Sequence, residues 1–493
     1  MKSTSRIALH AALLLSTFTV ALAGCGATGR LPVARETMRG FSAVTFSSST
    51  EGREAILFYK DRDRLTKLAS AGVDIWSVDI AQRRAKVKLN ESQAKLAEQL
   101  GMEVEWPIRQ TVLRADKGYR DYDQIVSRMK ELQAKHPEFV QMVDIGDSWE
   151  KTQGIAEREI WALHLNTGGG EKPNVTIAGC HHAREIVTPE ITLKMAEDLI
   201  DSYGQDAEVT GLVDTRDLWI IPLVNPDAHI HAVKGVDRRK NANNLTGGKR
   251  RIGVDLNRNY DIAWGTVGDS GNPEADTFRG AKPFSEPETQ AIRDQLLRHK
   301  PVVYLTFHSY ANSVMWPWDH QSAPPPDPRL AQLGSQLGAL SGYKAYQGAK
   351  MYLNSGDDVD WAFAKLGSLA YTVEIGGWND GFMPPSSRLP KFWNENRPMM
   401  LHAMKVADNP GQTFGPPVQL QGQRGAITMT AAPDVRRAEA FLGRPGRPGS
   451  GKAVTLKAGQ ARLEMASESR QPLWVHAQGR NGIWGPWQIT WSR

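Results

Sequence analysis

The chain has 493 residues, 40% hydrophobic and 23% charged, the balance of a globular protein long enough for two or three domains. Its formal charge of +6 comes from scattered lysines and arginines whose longest cluster is residues 249–251, which argues against a nucleic-acid partner. Two cysteines, Cys25 and Cys180, give no disulfide framework.

At the N-terminus, Lys2 and Arg6 precede an apolar run over residues 7–23, the layout of a secretory signal spanning residues 1–24. The run Leu22, Ala23, Gly24, Cys25 resembles the lipobox of bacterial lipoproteins. That resemblance implies an exported protein of the cell envelope, lipid-anchored to a bacterial membrane through Cys25; full secretion after an ordinary cleavage is the alternative. No later apolar stretch approaches the length of a helical span. Cys180 then has no partner and, ending the apolar run 175–178, is expected to be a buried structural thiol.

Residues 37–107 alternate strand-like runs at 41–46, 55–58 and 85–87 with helical patterns at 62–71 and 92–100, which predicts a small α+β domain. Residues 107–120, basic and without periodicity, read as a connector open to proteolysis. A helix over 122–135 opens a domain at 117–407, where strands separated by helical segments predict an α/β sheet flanked by helices. After Pro410 the chain is turn-rich with short strands, predicting a small β domain at 417–493. There Trp474, Trp484, Trp487 and Trp491 are expected to pack a core rather than to bind sugars or peptide ends.

Four apolar runs of the central domain end in polar residues: 175–178 before His181 and His182, 218–224 before Asn225, 302–307 before His308, and 369–373 before Glu374. In an open α/β sheet, functional groups gather beyond the carboxyl ends of the strands. His182 and Glu185 flank two residues and can aim at one ion, with His308 as a distant third. Two His and one Glu leave a position open for water, the ligand set of a catalytic zinc rather than of a closed structural site.

These residues resemble the zinc carboxypeptidases of the pancreatic A and B type over roughly residues 119–405. The match is carried by His182, Ala183, Arg184, Glu185; by His308 within residues 306–310; and by Asn225, Pro226, Asp227, with Ala228 where that family usually has Gly. It continues through Arg239, residues 253–259, Tyr352 with Ser355, Gly356, Asp360 and Trp361, and Thr372, Val373, Glu374. The resemblance implies a mixed twisted sheet, one zinc ion on His182, Glu185 and His308, and Asp255 orienting the first histidine. It implies Glu374 as general base and Arg239 as oxyanion partner, with Asn257, Arg258 and Tyr352 holding the free carboxylate of a peptide or protein substrate. Residues 37–107 stand where the family carries its activation segment, capping the site until the connector is cut; a permanent accessory domain is the alternative. Counting seven positions from Tyr352 places Val359 at the pocket floor, which favours C-terminal Phe, Tyr or Leu, while Asp357 and Asp358 beside it would favour a basic residue instead. His181 is expected to pack rather than to ligate. Two other functions are compatible with parts of this pattern: a zinc peptidase or amidase acting on cell-wall peptides, and a binding module that keeps an enzyme fold for recognition.

Overall fold

The computed structural model describes residues 52–107, 115–246, 252–423, 426–464 and 471–491. The expected signal segment, Cys25, the strand at 41–46 and the first half of the connector lie outside them.

The N-terminal domain is built from β1 (Arg53–Phe58), α1 (Arg62–Ser70), β2 (Asp74–Asp79), β3 (Arg84–Leu89), α2 (Glu91–Gln99) and β4 (Glu103–Glu105). Its antiparallel sheet has the order β2-β3-β1-β4. Strand β3 shows why it forms: Ala85, Val87 and Leu89 alternate inward while Arg84, Lys86 and Lys88 face the other way. Asp61 caps α1, and Asn90 with Gln93 forms a capping box on α2. Both helices and strands β1 and β3 fall where periodicity predicts them; β2 was missed because its sequence, with Asp at both ends, carries no clean alternation.

The central domain adds α3 (Tyr122–Lys135), β5 (Val140–Asp147), α4 (Trp149–Thr152), β6 (Glu159–Leu165), β7 (Asn174–Gly179), α5 (Val187–Ser202), α6 (Ala207–Thr215), β8 (Asp217–Ile221) and α7 (Pro226–Ala232). It continues with α8 (Pro287–His299), β9 (Val303–His308), β10 (Ser313–Trp316), α9 (Pro328–Ser341), β11 (Lys344–Gln347), α10 (Asp358–Leu366), β12 (Leu369–Glu374) and α11 (Leu389–Val406). Its eight strands form one mixed sheet in the order β11-β10-β12-β9-β7-β8-β6-β5, parallel from β12 to β8. The parallel strands are buried on both faces, which is why they read as continuous apolar runs. Ala228 lies inside α7 with its side chain in the core, so the family's glycine is not needed at that point.

The C-terminal domain pairs two small antiparallel sheets. One joins β13 (Val418–Gln423), β14 (Ala426–Ala431) and β17 (Gln460–Glu464); the other joins β15 (Val435–Leu442), β16 (Lys452–Val454), β18 (Leu473–Gly479) and β19 (Gln488–Thr490). Val418, Ile427, Met429, Ala438 and Val475 fill the space between them. Trp474 and Trp487 are buried as expected, but in the core of the central domain rather than in one of their own.

Candidate active site

Three neighbouring parallel strands deliver the site at their carboxyl ends. After β7, Cys180 takes a left-handed conformation (φ 63°) and turns the chain so that His181 and His182 lie past the sheet edge. In the pairing of β9 with β12, His308 stands directly opposite Glu374, which puts both side chains on one face. Glu185 follows His182 by one short turn before α5.

The ligating atoms of His182, Glu185 and His308 lie within 4.8 Å of one another, and all three residues are buried. His182 Nδ1 is 2.7 Å from Glu185 Oε1, His308 Nδ1 is 3.1 Å from Glu185 Oε2, and the two Nδ1 atoms are 3.2 Å apart. On its far side, His182 Nε2 donates to Asp255 Oδ1 at 3.0 Å, which keeps the lone pair on Nδ1, toward the shared point. Two imidazole nitrogens and a carboxylate converging with their lone pairs suit a zinc ion and leave one side open to the cavity. Burial alone would raise the Glu185 carboxyl, but His182 and His308 hold it well below the carboxylate range. Burial alone would lower His308, yet Glu185 lifts it to about 9.

Asp255 organises the next layer. Its Oδ1 also accepts from the Asn257 amide (3.1 Å) and its Oδ2 from Arg239 Nε (3.0 Å), so one carboxylate orients a metal-site histidine and the arginine beside it. Burial would raise the Asp255 carboxyl, but Arg239 and His182 keep it well below its usual value. Glu374 faces the same cavity, half-buried; burial and then the Glu185 charge push its carboxyl up to about 7.

His182, Glu185, His308, Glu374, Arg239, Asn257, Arg258 and Tyr352 all line one cavity enclosing roughly 630 Å³ of space open to solvent. Arg258 donates to Gly268 O, Asn257 O and the Tyr352 hydroxyl. The loop after Tyr352 is pinned at Gly356 (φ 75°): a Cβ there would run into the Arg258 carbonyl, and its own N–H and C=O pair with Ile262 and Tyr260.

Other expectations need correction. Val359 is not in the cavity wall; it sits in the core with Tyr260, Tyr304 and Trp361, because α10 turns it inward. Asp357 and Asp358 do not line the cavity either and so do not offer a basic residue a partner there: Asp357 caps α10, and Asp358 accepts from the Tyr304 hydroxyl at 2.7 Å. His181 packs as expected, its ring 3.0 Å from the Tyr260 hydroxyl, and burial lowers its pKa to about 4. Cys180 is free and fully buried.

Sequence reasoning missed three contributors. Ile75, Trp76 and Ser77 of β2 form part of the cavity wall, and Asp74 beside them makes a twin hydrogen bond (2.7 Å each) to the buried Arg184 of the His182–Glu185 turn. Asp319 lines the cavity just after β10; the signal was there, an acid ending an apolar run, as with Glu374. Residues 115–120 are also tied down rather than open, with Tyr119 donating to Pro384 O and Arg120 pairing with Glu190.

Residues 125–399 match the family model described as zinc carboxypeptidase. Carboxypeptidase A1 of Rattus norvegicus is 31% identical over 281 residues, 55% of this chain, and the match spans 66% of that relative's length. Carboxypeptidase A2 of Mus musculus is 32% identical over 307 residues, covering 59% of this chain and 71% of the relative. The crystal structure of a carboxypeptidase A from Helicoverpa armigera superposes with a TM-score of 0.62 at 24% identity, over 72% of this chain and 98% of that one, a likeness of fold. With the family model matched over more than half its length, the chain belongs to the zinc carboxypeptidase family.

Proposed function

We propose that the protein is a zinc-dependent carboxypeptidase that hydrolyses the last peptide bond of peptides or proteins. The observation that carries this reading is the meeting, in one cavity, of the His182–Glu185–His308 set, an adjacent carboxyl poised at about 7, and a buried arginine fork. Zinc held by those three residues supplies the Lewis acidity that makes a water nucleophilic at neutral pH. Glu374 takes the proton of the attacking water and delivers it to the leaving amine. Arg239, oriented by Asp255, stabilises the negative charge that develops on the carbonyl oxygen. Arg258 receives the terminal carboxylate bidentately, with Asn257 and Tyr352 beside it, and so requires a free C-terminus.

The test is metal analysis together with mass spectrometry of a mixed peptide pool, expected to show one zinc per chain and loss of single C-terminal residues. Glu374→Gln should keep the zinc while lowering turnover by ~10²-fold to 10⁴-fold. Near-normal turnover in that variant would assign the base elsewhere.

Two further parts of the reading concern the flanks. The N-terminal domain covers the site, on the strength of Ile75 to Ser77 in the cavity wall, and cleavage within residues 107–120 relieves that cover. The N-terminal residues export the protein and anchor it by lipid on Cys25; Cys25→Ala should abolish lipid labelling, and persistent labelling would refute that site.

A further inference from the structure

Asp319 is the acid of the cavity that the chemistry above does not use. It is 7% exposed and lines the cavity, and its Oδ1, buried against Gly348, has no hydrogen-bond partner. Its main chain is held on both sides: the amide donates to both oxygens of Asp360 (2.9 and 3.0 Å), and the carbonyl accepts from the Asn354 amide at 3.1 Å. The side chain lies against Gly348, where any Cβ would collide with Oδ1. No ion pair to Asp319 is present among the described residues, and a buried carboxylate without a cation is costly.

The neighbouring acids Asp357, Asp358 and Asp360 lie outside the cavity wall. Asp360 accepts from His320 Nδ1 (2.5 Å) as well as from the Asp319 amide, and Asp357 caps α10. Asp319 alone combines burial, a place in the cavity wall and a free acceptor atom. Burial and then the Asp360 charge push its carboxyl well above the ordinary range, a cost that a bound cation reverses. Nearby, Met315, Met351 and Ile75 offer apolar wall for the methylene stem of a long basic side chain. A phenyl ring or an aliphatic group would leave the carboxylate without a cation.

We propose that Asp319 is the specificity-determining residue and that the protein removes C-terminal lysine or arginine. This rests on the carboxypeptidase reading and replaces the apolar preference suggested by Val359, whose side chain is in the core.

The test uses the full chain loaded with zinc, both uncut and cut in the connector. Hydrolysis of blocked dipeptides differing only in a last residue of Arg, Lys, Phe or Leu is measured for wild type, Asp319→Asn and Asp319→Ala, with calorimetric binding of free L-arginine and L-phenylalanine in parallel. The expected result is a kcat/KM preference for Arg and Lys over Phe of about 100-fold or more, because a buried charge left unpaired rejects the wrong ligand strongly. Both variants should lose that factor on basic substrates while Phe changes by about threefold or less, and arginine affinity should fall with them. Wild-type preference for Phe or Leu, or an unchanged preference in the variants, overturns the assignment whether or not the carboxypeptidase reading stands. Arginine binding that depends on Asp319 without any hydrolysis would overturn the removal of lysine or arginine and the carboxypeptidase reading with it, keeping Asp319 only as the residue that holds a basic side chain; absence of both hydrolysis and arginine binding overturns all of it.

Discussion

The N-terminal domain meets the catalytic domain through charges and single hydrogen bonds, whereas the C-terminal sandwich meets it by sharing a core. On the first side Asp74 pairs with Arg184, Lys88 with Asp237 (2.6 Å), Lys86 with the Trp378 carbonyl, and Ser70 and Thr66 accept from the amides of Gly268 and Leu353. The N-terminal domain has its own hydrophobic core, against which only Met351 and Tyr352 of the central domain pack among the described residues, and Trp76 reaches into the central core, edge-on to Phe382. On the second side Trp474, Trp487 and Ile489 are members of the catalytic core, Trp474 presses on Gly211, and Trp487 Nε1 donates to Asp408 at 2.8 Å. A polar interface between separately packed domains can part without exposing much apolar surface; a shared core cannot. The difference puts the polar interface at the cavity, where Ile75, Trp76 and Ser77 line the wall, and the shared core away from it.

The largest effect should come from the shared core. Trp474→Ala is expected to destabilise the catalytic domain by about 3–5 kcal/mol, since it empties a fully buried indole site. Chemical denaturation followed by activity and tryptophan fluorescence should show both domains unfolding together. If the sandwich melts alone with activity intact, the two cores are separate.

Cutting the connector at residues 108–114 should raise kcat/KM on a small peptide by about 100-fold, the gain expected when a mostly covered site becomes mostly open. Equal rates before and after the cut would show that β2 is no barrier. A smaller gain, of about tenfold in the uncut chain, is expected for Asp74→Asn, because Arg184 keeps Asp237 as a partner (3.0 Å) while losing half of its strongest pairing. Should Asp74→Asn leave uncut activity unchanged while connector cleavage raises it, the apolar contacts of Trp76, not the charges, hold the cover.

The smallest effect separates the two interfaces by pH. Burial would raise the carboxyls of Asp74 and Asp237, but Arg184 holds Asp74 below its ordinary value across the interface, and Arg184 of its own domain together with Lys88 across the interface does the same for Asp237. Docked acids with depressed pKa values stabilise docking above the ordinary carboxylate range, and that stabilisation is lost as pH falls through it and below, from about pH 4 downward. Hydrogen exchange, corrected for intrinsic rates, should therefore show β2 and β3 losing protection between about pH 4.5 and about pH 2 while β18 keeps its own. Parallel loss in β18 would mean that acid unfolds the whole molecule rather than undocking one domain.

Much of the site was legible because each of its strands ends in, or just before, a residue that lines the cavity. The runs before His182, His308 and Glu374 became β7, β9 and β12, and the family pattern supplied Arg239, Asp255, Asn257, Arg258 and Tyr352. Val359 was misplaced because counting along the chain cannot say which way a helix turns its first residues: α10 directs it into the core. Asp74 was overlooked because an acid opening a short strand looks solvated, and its burial depends on an arginine 110 positions away.

The sequence by itself determined most helices and the parallel strands, the grouping of His182, Glu185 and His308, and the family, because periodicity and short-range spacing are local properties that any window of the chain displays. The tertiary structure alone decided which face each domain turns toward the cavity. Only there do the lysines of β3 meet Asp237 and Trp378 instead of water, and only there is Asp319 a buried carboxylate in the cavity wall with one oxygen unpartnered, since desolvation and pairing depend on neighbours that the linear order does not bring together.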